Sequence, residues 1–246
     1  MTRMDSEQQN TWAVETKGLS KFFGHIIALH EVNIKVPYHQ LVTIIGPNGA
    51  GKSTLMRILS TLSRPSRGQV YVDGLDVGKW GAEIRRRIGY ATHQPLLYND
   101  LSVRENLRFF GHMYGVPDLE TRIQQLLAKV ELLDRQHDTV RTLSRGMQQR
   151  LAIARAVLHS PTILLLDEPY AGLDQHATEL LTHLLHEWLS SGSTILMTTH
   201  DLNWAARISD KVLVLLNGRL VHQTEASALS EKHIRELYRQ YAGGGL

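Results

Sequence analysis

The stretch Leu41-Val42-Thr43-Ile44-Ile45-Gly46-Pro47-Asn48-Gly49-Ala50-Gly51-Lys52-Ser53-Thr54 decides how the chain is read. Leu41 to Ile45 is a short apolar, β-branched run, the composition of a buried strand. Gly46 to Ser53 fits G-x-x-x-x-G-K-[ST] at every fixed position. Leu55, Ile58, Leu59 and Leu62 then recur at helical spacing. Strand, glycine-rich loop and helix stand in the order that a phosphate cradle needs. Glycines let several backbone N–H groups converge on one anion, and the helix N-terminus adds its positive end. A chance match in a Gly-rich turn has no reason to carry both flanking elements. The expected ligand is a nucleoside triphosphate held by Gly46, Pro47, Asn48, Gly49, Ala50, Gly51, Lys52, Ser53 and Thr54. Lys52 would reach the β/γ-phosphates and the Ser53 hydroxyl would ligate Mg²⁺.

The chain has 246 residues with 42% hydrophobic content, enough for one sizeable α/β core with a lobe inserted. A net charge of +3 without a long basic run gives no argument for nucleic acid. Arg85-Arg86-Arg87 reads as a solvated helix face. There is no Cys, so structural disulfides are excluded, and the 13 His show no paired metal-ligand spacing. Residues 1–11 lack the apolar segment of a signal peptide. The longest apolar runs, such as Val212 to Leu216, are strand-sized, so membrane association is expected only through a partner.

Outward from the phosphate loop, Trp12 to Thr16 reads as a strand, Lys21 to Gly24 as an aromatic-bearing loop, and Ile26 to Val36 as alternating extended chain. Gly68 to Gly74 and Arg87 to Ala91 are further strands. From about Asn99 to Arg141 the period becomes helical: Val103, Leu107 and Phe110 share one face, and Ile123, Leu126, Leu127 and Val130 another. Ser102 and Glu105 form a capping box. The α/β alternation then resumes with Thr162 to Leu166, Gln175 to Leu189, Ser193 to Thr198, Leu202 to Ile208, and the pair Val212 to Leu216 and Leu220 to His222. This predicts a mostly parallel sheet flanked by helices, with antiparallel strands before it and a helical lobe inserted.

Ile163 to Leu166 followed by Asp167 and Glu168 places two acids at the carboxyl edge of the sheet. Asp167 is suited to hold Mg²⁺ and Glu168 to act as general base toward the attacking water. A helix-capping acid pair would be the blander account. Ser144 N-caps a helix running to about His159, and taken alone that is only a capped helix. His200 ends the strand Thr194 to Thr198, beside the loops where ligands collect in open α/β sheets.

Together and in this order, the motifs resemble those of the ATP-binding subunits of ABC transporters, from Val14 to about His222. Gly46 to Thr54 resembles the Walker A motif, and Ile163 to Glu168 resembles Walker B with its catalytic glutamate. Leu143 to Gln148 resembles the ABC signature, Ala171 to Asp174 the D-loop, and His200 the switch histidine. Gln94 matches the Q-loop glutamine, which the resemblance places on Mg²⁺ and the attacking water. Phe23 stands where the family's aromatic stacks on adenine, with Phe22 adjacent. One position departs: Arg145 stands where the signature usually has Gly, while Ser144 and Gly146 are retained.

The resemblance implies a P-loop NTPase core with an N-terminal antiparallel β subdomain and an inserted α-helical subdomain. The implied domain spans 12–241, with core segments 12–94 and 160–225, helical lobe 95–159 and C-terminal helix 226–241; residues 1–11 and 242–246 are expected to be flexible ends. It implies ATP and Mg²⁺ as cofactors and a dimer that sandwiches ATP between one subunit's phosphate loop and the other's Ser144 and Gly146, with Asp174 coupling the two sites. It also implies an integral membrane partner docked near Gln94 to Tyr98, at the cytoplasmic face of a membrane. Leu97 to Leu107 and the LSRGM signature resemble ABC-2-type exporters, whose cargoes include drugs, lipids, polysaccharides and, in the cytochrome c maturation branch, release of a haem chaperone. A soluble ABC ATPase working on ribosomes or DNA would carry two ATPase units or a long coiled coil; this chain has one unit and no sustained heptads. A non-catalytic regulatory module is disfavoured by Glu168 and His200.

Overall fold

All five side chains of the strand Leu41–Ile45 are buried. That is why the run is continuously apolar: a central parallel strand is covered on both faces. The structure, a computed structural model, describes residues 12–228 together with 230, 232, 233 and 236. Two 12-residue strands come first, β1 (Trp12–Phe23) and β2 (Ile26–Pro37), antiparallel with Phe23 opposite Ile26. Only Gly24 and His25 turn the chain, Gly24 at φ 58°. Lys21 to Phe23 are therefore strand and not the expected loop, because a two-residue hairpin consumes no more chain than that.

β3 (Leu41–Ile45) runs into the phosphate loop and α1 (Lys52–Leu59). β4 (Arg67–Val72) and β5 (Leu75–Asp76) complete an antiparallel sheet of order β2-β1-β4-β5. α2 (Gly81–Arg87) turns its three arginines to solvent, and β6 (Ile88–Ala91) enters the second sheet.

The helical lobe holds α3 (Val103–Tyr114), α4 (Leu119–Lys129) and α5 (Arg145–Val157). α3 starts on a complete capping box: the Ser102 N–H donates to Glu105 Oε2 at 2.7 Å and the Glu105 N–H to Ser102 Oγ at 3.2 Å. Such a cap is worth about 1 kcal/mol. Val103, Leu107, Ile123, Leu126, Leu127 and Val130 belong to one buried cluster that continues into Leu164, Leu166 and Met197 of the sheet. The lobe is thus packed onto the core through uninterrupted apolar contact.

β7 (Ile163–Asp167), α6 (Gln175–Ser190), β8 (Thr194–Thr199), α7 (Leu202–Ile208), β9 (Lys211–Leu216) and β10 (Arg219–Glu225) follow. The second sheet has the order β10-β9-β3-β8-β7-β6, parallel except for β10. Its register sets Ile45 beside Thr199 and Asp167 beside Thr198. The loops leaving β3, β7 and β8 consequently open at one edge, where an open α/β sheet binds its ligand. Beyond β10, Ala226–Ala228 form one 3-10 turn. Most of the expected helix 226–241, and the expected flexible ends, lie outside the described residues.

Candidate active site

The phosphate loop is held in shape from outside. A Cβ at Gly46 would lie 2.2 Å from the Leu215 carbonyl oxygen, so β9 leaves no room for a side chain there. Gly51 sits at φ 102°, and a Cβ on it would lie 2.5 Å from the Ala28 carbonyl oxygen. The β9–β10 turn ties the loop down: the Gly218 N–H donates to Ala50 O at 3.0 Å and the His30 N–H to Gly218 O at 2.8 Å. Lys52, only 6% exposed, spans the loop, its Nζ donating to Gly46 O at 2.7 Å and Pro47 O at 3.3 Å.

The acids lie directly opposite. Asp167 is 2% exposed and its Oδ1 accepts from Thr198 Oγ1 at 2.6 Å. The same hydroxyl oxygen accepts the Glu168 N–H at 3.0 Å. Glu168 adopts φ 53°, a left-handed conformation that costs a non-glycine residue about 1–2 kcal/mol. Its Oε1 is 3.3 Å from Lys52 Nζ and its Oε2 is 3.0 Å from His200 Nδ1. With a neutral imidazole, Nδ1–H donates to the carboxylate. The strained turn thus aims Glu168 between a fixed cation and a ring that is largely exposed.

These groups wall an open cavity of about 420 Å³ lined by Ile26, Ile27, Ala28, Pro47 to Thr54, His93, Arg145, Glu168, Ala171 and His200. Among the residues expected at the site, Pro47 to Thr54, Glu168 and His200 line it together; Gly46 and Asp167 support it from behind. Phe23 stands outside the lining, 52% exposed, with Lys21 Nζ 4.8 Å from its ring centroid. The Gln94 side chain is exposed and also outside, whereas its neighbour His93 is on the wall. Ser144 is exposed, its Oγ accepting the Met147 N–H at 3.3 Å as the N-cap of α5. Gly146 is half-buried beside it. Asp174 N-caps α6 through the Ala177 N–H at 2.8 Å.

Sequence reasoning missed Ile26 and Ile27, Thr198, His93 and the reach of Arg145 along Gly172 into the cavity wall. Thr198 had a signal, a hydroxyl ending an otherwise apolar strand next to His200. The two isoleucines had none.

A sequence profile described as ABC transporter matches residues 29–171, more than half of the chain. The chain belongs to the ABC transporter family. It is the ATP-binding cassette of such a transporter, and an ATPase. The Nod factor export ATP-binding protein I of Rhizobium sp. (strain N33) is 36% identical over 224 residues, 90% of this chain and 74% of the relative. The daunorubicin resistance ATP-binding protein DrrA3 of Streptomyces coeruleorubidus is 35% identical over 219 residues, 88% of this chain and 69% of the relative. Among solved structures, a dimeric ATP-binding cassette in a post-hydrolysis state with ADP and phosphate superposes with a TM-score of 0.82 at 30% identity, covering 88% of this chain and all of that one. The cassette fold is the one expected: an antiparallel N-terminal sheet and a mixed sheet flanked by helices. Among the described residues, no helix is long and apolar enough to cross a membrane.

Proposed function

We propose that this cassette hydrolyses ATP as one half of a two-subunit sandwich and thereby drives an exporter through an integral membrane partner. The observation that carries the reading is Glu168, held between Lys52 and His200 on the wall of the phosphate cavity. The loop amides and the N-terminus of α1 hold the triphosphate, and Lys52 exchanges loop carbonyls for β/γ-phosphate oxygens. Adenine stacks on Phe23 beside Ile26 and Ile27.

Ser53 and Asp167 would hold Mg²⁺. Both offer hard oxygens, and Thr198 engages only one oxygen of Asp167. Among the described residues no group of three or more His, Cys, Asp or Glu is placed to hold a metal ion. Mg²⁺ is commonly held by one or two carboxylates, with substrate phosphates and water completing its shell. When bound, the ion would neutralise charge on the phosphate oxygens. Glu168 accepts a proton from water as the water oxygen bonds to the γ-phosphorus and the bond to the bridging oxygen breaks, releasing ADP and phosphate. His200 steadies Glu168, and Gln94 would orient the water and help hold the metal ion.

Ser144 and Gly146 lie off the lining of their own cavity and are offered instead to the γ-phosphate on a second copy, with Asp174 linking the two sites. Charge-assisted hydrogen bonds from both sides would close the dimer, and phosphate release would open it. Leu96 and Tyr98 are exposed apolar side chains in the segment Gln94 to Tyr98, and the exposed Phe109 has its ring centroid 4.9 Å from that of Tyr98. We assign that surface to the membrane subunit, with the cassette peripheral at the cytoplasmic face. The names of these two relatives, one a Nod factor export protein and the other a daunorubicin resistance protein, support export. Cargo is chosen by the membrane partner, so small-molecule export and haem-chaperone release are told apart by which membrane protein co-purifies.

The test is ATPase activity and size-exclusion chromatography of wild type and Glu168→Gln with Mg·ATP. The wild type should hydrolyse ATP; the variant should be nearly inactive and elute as an ATP-dependent dimer. An active variant removes Glu168 from its role, and an inactive monomer removes the sandwich. Co-purification with ribosomes or DNA in place of a membrane protein would overturn the transporter reading.

A further inference from the structure

Arg155 is 8% exposed and takes no part in the site described above. It lies in the last turn of α5, the helix whose N-cap is Ser144. Its Nη1 donates to Leu96 O at 2.6 Å, its Nη2 donates to Tyr90 O at 2.8 Å, and the guanidinium lies 5.1 Å from the Phe110 ring centroid of α3. No carboxylate pairs with it among the described residues, and burial lowers its pKa. A cation near a helix C-terminus is favoured by the dipole, but that holds as well for one left in water. Burying it without a counter-ion is less favourable than packing an apolar side chain of similar volume. The charge at this position therefore calls for a role other than packing.

The two carbonyls indicate which role. Tyr90 and Leu96 bracket the loop that carries His93, on the cavity wall, and Gln94, exposed outside it. We infer that Arg155 is a positioning residue for Gln94. Its fork clamps both ends of the loop to α5, so only the few residues between them can move. The swing that brings Gln94 to the nucleotide is then confined to a short arc and referenced to the helix that presents Ser144. Leu96 is also half exposed in the segment assigned to the membrane partner, which sets the clamp between that surface and Gln94. Lysine cannot replace the fork, because one ammonium on a flexible stem does not hold two carbonyls in fixed register. The inference rests on Gln94 acting at the site as proposed above.

The experiment is a double-mutant cycle of Arg155→Lys with Gln94→Ala in the full chain, reading kcat, KM for ATP, the Mg²⁺ concentration for half-maximal rate, and Tm. Arg155→Lys should lower kcat about tenfold, as loss of positioning does, leave KM for ATP within about twofold, and raise the Mg²⁺ requirement. In the Gln94→Ala background it should lower kcat no further. Arg155→Gln keeps two N–H donors without the charge, gives a second variant if the lysine form does not fold, and should show the same non-additivity. Additive losses, or a lower Tm with unchanged kcat, would overturn the inference by reducing Arg155 to a structural role. A wild-type kcat in Gln94→Ala alone would overturn it differently, by removing Gln94 from the reaction.

Discussion

Thr198→Val tests the link between sheet register and chemistry. Valine has the same branched shape and belongs equally in a strand, so the packing of β8 is retained. What is lost is one hydroxyl that donates to Asp167 Oδ1 at 2.6 Å and accepts from the Glu168 N–H at 3.0 Å. Thr198 is 0% exposed and Asp167 is 2% exposed, so the bond between them is fully buried, and the Glu168 N–H bond is partly so, which leaves little room for water to replace them. A hydrogen bond to a charged group is worth about 1.5–3 kcal/mol, and a buried N–H left unsatisfied costs about 1–3 kcal/mol. A combined loss near 4 kcal/mol corresponds to a fall in Tm of about 8–16 °C for a chain of this size. The backbone at Glu168 is held at φ 53° in part by that N–H, so its carboxylate should lose alignment. We expect kcat to fall about 10- to 100-fold while ATP affinity, set by the untouched phosphate loop, changes little. Thermal unfolding, nucleotide titration and steady-state ATPase measurements on wild type, Thr198→Val and Thr198→Ser give the answer. Serine keeps both hydrogen bonds and loses only a methyl, a cost of about 0.5–1.5 kcal/mol by analogy with other single-methyl deletions. A valine variant within about 2 °C of wild type and fully active would refute the reasoning. So would a serine variant as damaged as the valine one.

Gly46→Ala should strain the loop, because its Cβ would meet the Leu215 carbonyl oxygen at 2.2 Å and that backbone belongs to β9. Overpacking of this kind costs about 1–3 kcal/mol, and we expect ATP affinity to drop tenfold or more, with ~1.4 kcal/mol per decade; a folded variant with wild-type affinity would contradict this. His159 gives a pH effect. Burial lowers its pKa from the ordinary 6.5, with Nε2–H donating to Ile88 O at 3.0 Å and Nδ1 buried without a hydrogen-bond partner among the described residues. The unfolded chain binds the proton more readily, so stability is intact above the unfolded value of about 6.5 and declines as pH falls from there toward the lower folded value. The drop in Tm between about pH 7.5 and 5.5 should be shallower in His159→Gln than in wild type, since that window spans the unfolded pKa; equal drops would rule His159 out as a contributor.

The phosphate loop was legible because everything that defines it is local. A strand, its turn and the next helix are joined by a few residues, and G-x-x-x-x-G-K-S states the backbone shape outright. The capping box at Ser102 and Glu105, the N-cap at Ser144, and the apolar stripes of α3 and α4 are legible for the same reason: their partners lie within one or two turns. The acids at the end of β7 were legible as a pair, through a buried strand that stops at Asp167.

What binds those pieces into a site was not written locally. Thr198 meets Asp167 across 31 residues because β8 pairs with β7, and Arg155 reaches Leu96 across 59 because the helical lobe folds back onto the sheet. Ile26 and Ile27 line the cavity, and Phe23 does not, because a two-residue turn sets the register of β1 on β2. The sequence by itself determined the phosphate cradle, the elements and their order, since covalent spacing restricts neighbours a few residues apart. Only the tertiary structure decided which hydroxyl orients the acids, which apolar side chains face the cavity and where Gln94 stands, because those contacts depend on strand order and packing between segments that no local spacing constrains.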